Sequence, residues 1–162
     1  MAATAPLLFE PNALYILLLD RGDTYLFHWE LYLATSTLEG TAFHITNDSG
    51  PVAWEYERVV THEMPQLRRL LLALKIGSLA PVLHNALSER LATIPVNSYS
   101  VRFREQLSCR VWVKEALFAL DDEGYVNLGR AVDDIEEEAK YLAMLHKSKG
   151  ERKVLWSRAF VG

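Results

Sequence analysis

The side chains here that could carry out proton transfer and nucleophilic attack are two histidines and a thiol. Phe27-His28-Trp29-Glu30-Leu31-Tyr32-Leu33 alternates strictly. Phe27, Trp29, Leu31 and Leu33 share one face, and His28, Glu30 and Tyr32 share the other, which is the period of a half-buried strand. A second alternating run, Thr41-Ala42-Phe43-His44-Ile45-Thr46, again sets its histidine apart from the large apolar residues. A neutral imidazole takes a proton near pH 7 and gives it back. A thiol beside such a ring becomes a nucleophile. The chain has one cysteine, Cys109, and it opens an amphipathic stretch.

That stretch places Cys109, Trp112, Val113, Ala116, Leu117 and Leu120 in one apolar stripe at helical spacing. A lone cysteine in such a stripe is often plain core, because a free thiol packs as a small hydrophobe. Its position in the first turn argues for chemistry. Ser108 is a good N-cap, and the helix dipole with Arg110 and Arg104 nearby in sequence favours a partly exposed thiol of lowered pKa.

The order His-Trp-x-Leu-Tyr-Leu, a second strand histidine and then a cysteine at a helix start resembles the permuted NlpC-type branch of the papain-like fold. The lecithin retinol acyltransferase-like proteins belong to that branch. The resemblance covers roughly residues 13–60 and 105–120. It implies that His28 is the base, His44 the residue that orients it, and Cys109 the nucleophile of a cysteine-dependent acyl-transfer enzyme, either a hydrolase or an acyltransferase. The acyltransferases carry Asn-Cys-Glu-His-Phe and the peptidases Asp-Cys-Ser-Gly, whereas this chain has Ser108-Cys109-Arg110-Val111-Trp112. The Cys109 amide is then one oxyanion donor, and Arg110, Tyr32 or another backbone amide must be the second. Glu30 and Trp112 join Tyr32 and Arg110 as candidate contacts to a small-molecule or acyl substrate. Two alternatives stand beside this one. One is a relative without chemistry that binds a small molecule or a protein; the other is a cyclase or isomerase using the same pocket.

Composition narrows the classes further. With 162 residues, half of them hydrophobic, the chain suits a single domain spanning residues 1–162. A net charge of −4 disfavours a general nucleic-acid binder, which needs a basic surface. One cysteine excludes an internal disulfide and fits a reducing compartment. The N-terminal stretch lacks a signal-peptide pattern, and the longest apolar run is strand-sized, so a cytoplasmic protein without a transmembrane segment is expected. The histidines are scattered, with no zinc-like spacing, and no phosphate-binding glycine loop occurs, so neither a metal site nor a cofactor is expected. Asn47-Asp48-Ser49 fits a glycosylation sequon, but here it reads as a turn, as does Arg21-Gly22-Asp23.

The elements expected to hold the site follow in order. Residues 13–20 are apolar on both faces and read as a central strand. The two histidine strands come next, and residues 52–60 form a fourth strand, giving an antiparallel meander. Leu67, Leu70, Leu71 and Leu74 recur at helical spacing up to Gly77, so residues 64–77 are expected to be helical. A second helix is expected over residues 81–91, with Val82, Leu83, Ala86, Leu87 and Leu91 inward. A strand follows at residues 99–103, the cysteine helix at 108–120, a long helix at 130–147 and a closing strand at 154–161. The sum is an α+β fold, an antiparallel sheet packed against helices, with the cysteine helix lying on the sheet face that bears His28 and His44.

Overall fold

The computed structural model describes residues 5–22, 26–47, 53–96 and 99–159. Seven consecutive buried positions, Ala13 to Leu19, make Ala13–Asp20 (β1) the middle of the sheet. It pairs antiparallel on one side with Phe27–Ala34 (β2) and on the other with Leu70–Ser78 (β5). Gly40–Thr46 (β3) and Glu55–Thr61 (β4) extend the β2 side, and Lys153–Trp156 (β6) closes the far edge, parallel to β5. The order is β4-β3-β2-β1-β5-β6. Among the described residues three α-helices accompany the sheet: His84–Leu91 (α1), Cys109–Asp122 (α2) and Val132–Ser148 (α3). This is a mixed α+β domain with an open, mostly antiparallel sheet. Among the described residues no helix is long and apolar enough to cross a membrane.

Several sequence expectations need correction. Residues 70–78 form strand β5, and only Met64–Gln66 turns as a short 3-10 helix. The run Leu-Leu-Leu-Ala-Leu-Lys-Ile is apolar at every position but Lys75, so it satisfies helical spacing without requiring it. Flanked by β1 and β6 and buried on both faces, it gains more as an inner strand. The expected second helix divides into a 3-10 turn at Pro81–Leu83 and α1, with Val82 and Leu83 exposed and only Leu87 and Leu91 buried in α1. Residues 99–103 are a turn closed by a Ser100–Glu105 bridge, with Val101 81% exposed and Phe103 only partly buried; alternation without a partner strand does not make a strand. The fourth strand starts at Glu55 and the last spans four residues. The turn expected at residues 48–51, Asp23, Val52 and residues 160–161 lie outside the described residues.

The sheet divides the core in two. Leu14, Ile16, Leu18, Trp29, Leu31, Phe43 and Ile45 meet the helices, α2 over β2 and β3, α3 over β5 and β1. The other face carries Tyr15, Leu17, Leu19, Tyr32 and Ala42 and is covered by Phe9 and Met64. Backbone bonds from Leu7 to Pro65 and from Phe9 to Thr37 hold that cover in place.

Gly40 starts β3 beneath this cover. A Cβ there would strike the Tyr32 ring and stand 2.6 Å from the Leu33 carbonyl oxygen. Overpacking against a fixed backbone and a boxed ring costs on the order of 1–3 kcal/mol. Gly40→Ala is therefore expected to lower the urea-unfolding free energy by about that much. A variant as stable as the parent would show that β3 is not locked against Tyr32.

Candidate functional site

The local event that makes a site is a parting of strands. β2 and β3 pair from Leu31–Phe43 to Ala34–Gly40 and no further. β2 stays bonded to β1 as far as Phe27, and β3 stays bonded to β4 as far as Thr46. The unpaired halves frame a cavity of about 340 Å³ whose wall includes His28, His44, Cys109, Arg21, Arg69 and Trp54.

On the face away from α2, His28 Nε2 lies 2.7 Å from His44 Nδ1, and His44 Nε2 lies 2.9 Å from the Glu57 carboxylate. Glu57 stands directly across from His44 in the β3–β4 register. The order of these bonds sets the protons. The ionised carboxylate only accepts, so a neutral His44 carries its proton on Nε2 and leaves Nδ1 bare. His28 must then donate from Nε2, which makes its Nδ1 the proton-accepting nitrogen. Glu30 is buried beside the pair, its carboxylate 3.9 Å from His28 Nε2 and 3.7 Å from His44 Nδ1. Burial pushes the Glu30 carboxyl up, against the pull of His44 and Arg69.

The thiol arrives from the other side. Ser108 caps α2, its hydroxyl accepting from the Val111 amide at 3.2 Å, so Cys109 is the first helical residue, as the sequence implies. The helix itself packs on the Phe27–Trp29–Leu31 face, opposite the histidines. This corrects the expectation that α2 would cover the face bearing His28 and His44. Trp29 and Phe27 are the larger apolar surface, and strict alternation sends His28 the other way. Among the described residues of α2, Cys109 is the one that lines the cavity. Its Sγ lies 4.0 Å from the Phe27 carbonyl oxygen, and the Trp29 amide is directed at it. These two backbone groups flank His28, so the thiol rests against β2 at the histidine's own position.

The expected lowering of the thiol pKa is not found. Cys109 is 5% exposed, and burial pushes the thiol up, outweighing the Trp29 amide and the positive charge of Arg21. The other nominated residues are held elsewhere. Arg110 is paired to Glu105 and Glu136 on the outer side of α2. Trp112 is wholly buried, its ring 5.7 Å from that of Tyr56. Tyr32 lies under Phe9. Arg110, Trp112 and Tyr32 thus fall outside the cavity, while Glu30 stays with the histidines. Sequence reasoning missed Glu57, because the β3–β4 register could not be fixed, and missed Arg69 because its neighbourhood was read as helix.

The fold and site thus define an α+β domain with a histidine pair and a buried thiol meeting at a gap in its sheet. A family model described as "Family of unknown function (DUF6914)" matches residues 12–153, and the chain belongs to that family. No curated protein and no solved structure matches it.

The Tyr32 hydroxyl is buried without a hydrogen-bond partner among the described residues, and desolvation raises its pKa strongly. Leaving such a group unpaired costs about 1–3 kcal/mol. Tyr32→Phe should therefore be neutral or up to about 1 kcal/mol stabilising in urea titration. A clear loss of stability would reveal a partner for the hydroxyl and restore Tyr32 as a possible donor.

Proposed function

We propose that this protein performs cysteine-dependent acyl transfer, in the manner of the lecithin retinol acyltransferase-like branch that its motif order resembles. The observation that carries the reading is the shared cavity: Cys109, His28 and His44 all line it, with the thiol seated against the backbone on either side of His28. The order of elements supports it as well, since the base strand, the orienting strand and the cysteine helix follow the sequence of the permuted papain-like arrangement.

In this chemistry His28 Nδ1 takes the Cys109 proton as sulfur attacks a carbonyl carbon. The tetrahedral oxyanion collapses, breaking the bond to the alkoxide or amine, which leaves with the proton from His28. Water or a second acceptor, deprotonated by the same ring, then cleaves the thioester and restores the thiol. His44 and Glu57 hold His28 in the accepting tautomer. Because burial keeps the thiol protonated, the ring must act during the attack rather than through a resting thiolate–imidazolium pair. The Cys109 and Arg110 amides, at the first turn of α2, are the oxyanion donors in this proposal. Arg21 and Arg69 suit a substrate with an anionic group near the scissile carbonyl. The same two arginines and the protonated thiol favour a second reading, an anion-binding relative without chemistry.

One experiment separates the two. The full chain is mixed with a short-chain 4-nitrophenyl ester and followed by nitrophenolate release and intact mass. The enzyme reading expects a burst near one equivalent and an acyl mass on Cys109, both absent in Cys109→Ala. His28→Gln should slow acylation by about 10²–10⁴-fold. Absence of the adduct across neutral and mildly alkaline pH, with folding intact, would leave only the binding reading.

A further inference from the structure

The two cavity histidines and Glu30, buried beside them, form a second arrangement. His28 Nε2, His44 Nδ1 and the Glu30 carboxylate stand 2.7, 3.7 and 3.9 Å apart. All three ligand atoms fall within 4.8 Å of one another. The carboxylate distances are too long for hydrogen bonds, yet Glu30 is buried. Nitrogen and oxygen ligands lie about 2.0–2.2 Å from a zinc-type ion, so two ligands of one tetrahedral ion stand about 3.3 Å apart. The observed separations bracket that value, and an opening of the histidine pair by roughly half an ångström would seat the ion.

We propose that His28, Glu30 and His44 bind one divalent transition-metal ion of the zinc type, and that its binding shuts off the thiol. Two imidazoles and one carboxylate are a borderline donor set that suits zinc, cobalt or iron(II) and leaves a position open towards the cavity. Glu57 completes the design: it accepts from His44 Nε2, as a carboxylate behind a ligating histidine does, fixing the tautomer that turns Nδ1 inward. Glu30 and Glu57 together balance the two charges of the ion. Sequence spacing hides the set because two ligands are i and i+2 on β2 and the third comes from β3.

The second half rests on the acyl-transfer reading. Metal on His28 Nε2 displaces that proton, and the neutral ring then carries it on Nδ1, the nitrogen needed to accept from Cys109. Base and ligand are therefore exclusive states of one ring. Binding of the ion needs no activity for its detection.

The test titrates the full chain with cobalt(II), followed by visible absorption and calorimetry, then repeats it with zinc. Wild type is expected to take one equivalent with d–d bands of low coordination number and no intense thiolate charge-transfer band. Cys109→Ser should bind as wild type does. Glu57→Gln should bind about 10–100-fold more weakly, and Glu30→Gln, still folded by circular dichroism, should lose more than that. Equal binding by wild type and Glu30→Gln, or no binding at micromolar ion, overturns the site. One equivalent of zinc should also abolish the nitrophenolate burst, and chelation should restore it; an unchanged burst with zinc bound overturns the switch. A metal-free protein that forms no adduct defeats the acyl-transfer reading, and the ion site is then decided by the titration alone.

Discussion

The early end of pairing between β2 and β3 is the constraint on which the site depends. Had the ladder continued past Leu31–Phe43, the edges of the two strands would have been sealed by their own backbone bonds, and the thiol would have met a closed sheet. Instead β2 keeps its full ladder to β1, and β3 keeps its full ladder to β4. The strands can part without losing order, because each is held by its outer neighbour. The opening lets one residue from the helix layer reach the level of the sheet. It also leaves two polar side chains, one from each diverging strand, at hydrogen-bonding distance across the gap. A buried face beside an open one is common in antiparallel sheets; a passage between the two layers is not.

What holds α2 against this opening is electrostatic as well as apolar. Lys114 is buried and bonded to Asp133 at 2.8 Å and to Glu136 at 3.0 Å on α3, and Arg110 joins Glu136 to Glu105. The cluster faces away from the sheet and ties the first turns of α2 to the first turns of α3. Lys114 and Glu136 are its buried members, and removing one of that pair leaves a buried charge short of its partner, which costs more than the pairing gains. The guanidinium of Arg110, next to Cys109 in sequence, is thereby held by Glu105 and Glu136.

The parts of this arrangement that depend on local pattern were legible in the sequence. Alternation in β2 separated His28 and Glu30 from Phe27 and Trp29, and the cap at Ser108 fixed where α2 begins. The parts that depend on register or on partners were not. Glu57 meets His44 only because β3 and β4 pair as they do, and no turn signal sets that register. The run before Gly77 reads equally as helix or strand until its neighbours are known, and those neighbours, β1 and β6, come from opposite ends of the chain. Alternation at Tyr99, Val101 and Phe103 was misleading for the converse reason: a strand pattern without a sheet edge to join stays a turn. The face covered by α2 was legible in principle, since Trp29 and Phe27 carry far more apolar surface than His28.

The same chain of bonds that would make His28 a base also makes the histidine pair a ligand set. An imidazole poised to accept on Nδ1 needs a partner that takes the proton from Nε2, and that partner must itself be held by an acceptor. His44 and Glu57 meet both needs. An acceptor lone pair aimed at a neighbouring ring nitrogen, with a buried carboxylate just beyond hydrogen-bonding range, is equally the donor arrangement that the proposed ion would use. For a thiol that burial keeps protonated, the ring is the only described route to the thiolate. In the proposed chemistry, whatever occupies the far side of that ring would govern the thiol without touching the sulfur or the substrate. Control of a nucleophile through the tautomer of its base requires no movement of α2. It needs only the sub-ångström separation of two side chains on strands that have already come apart.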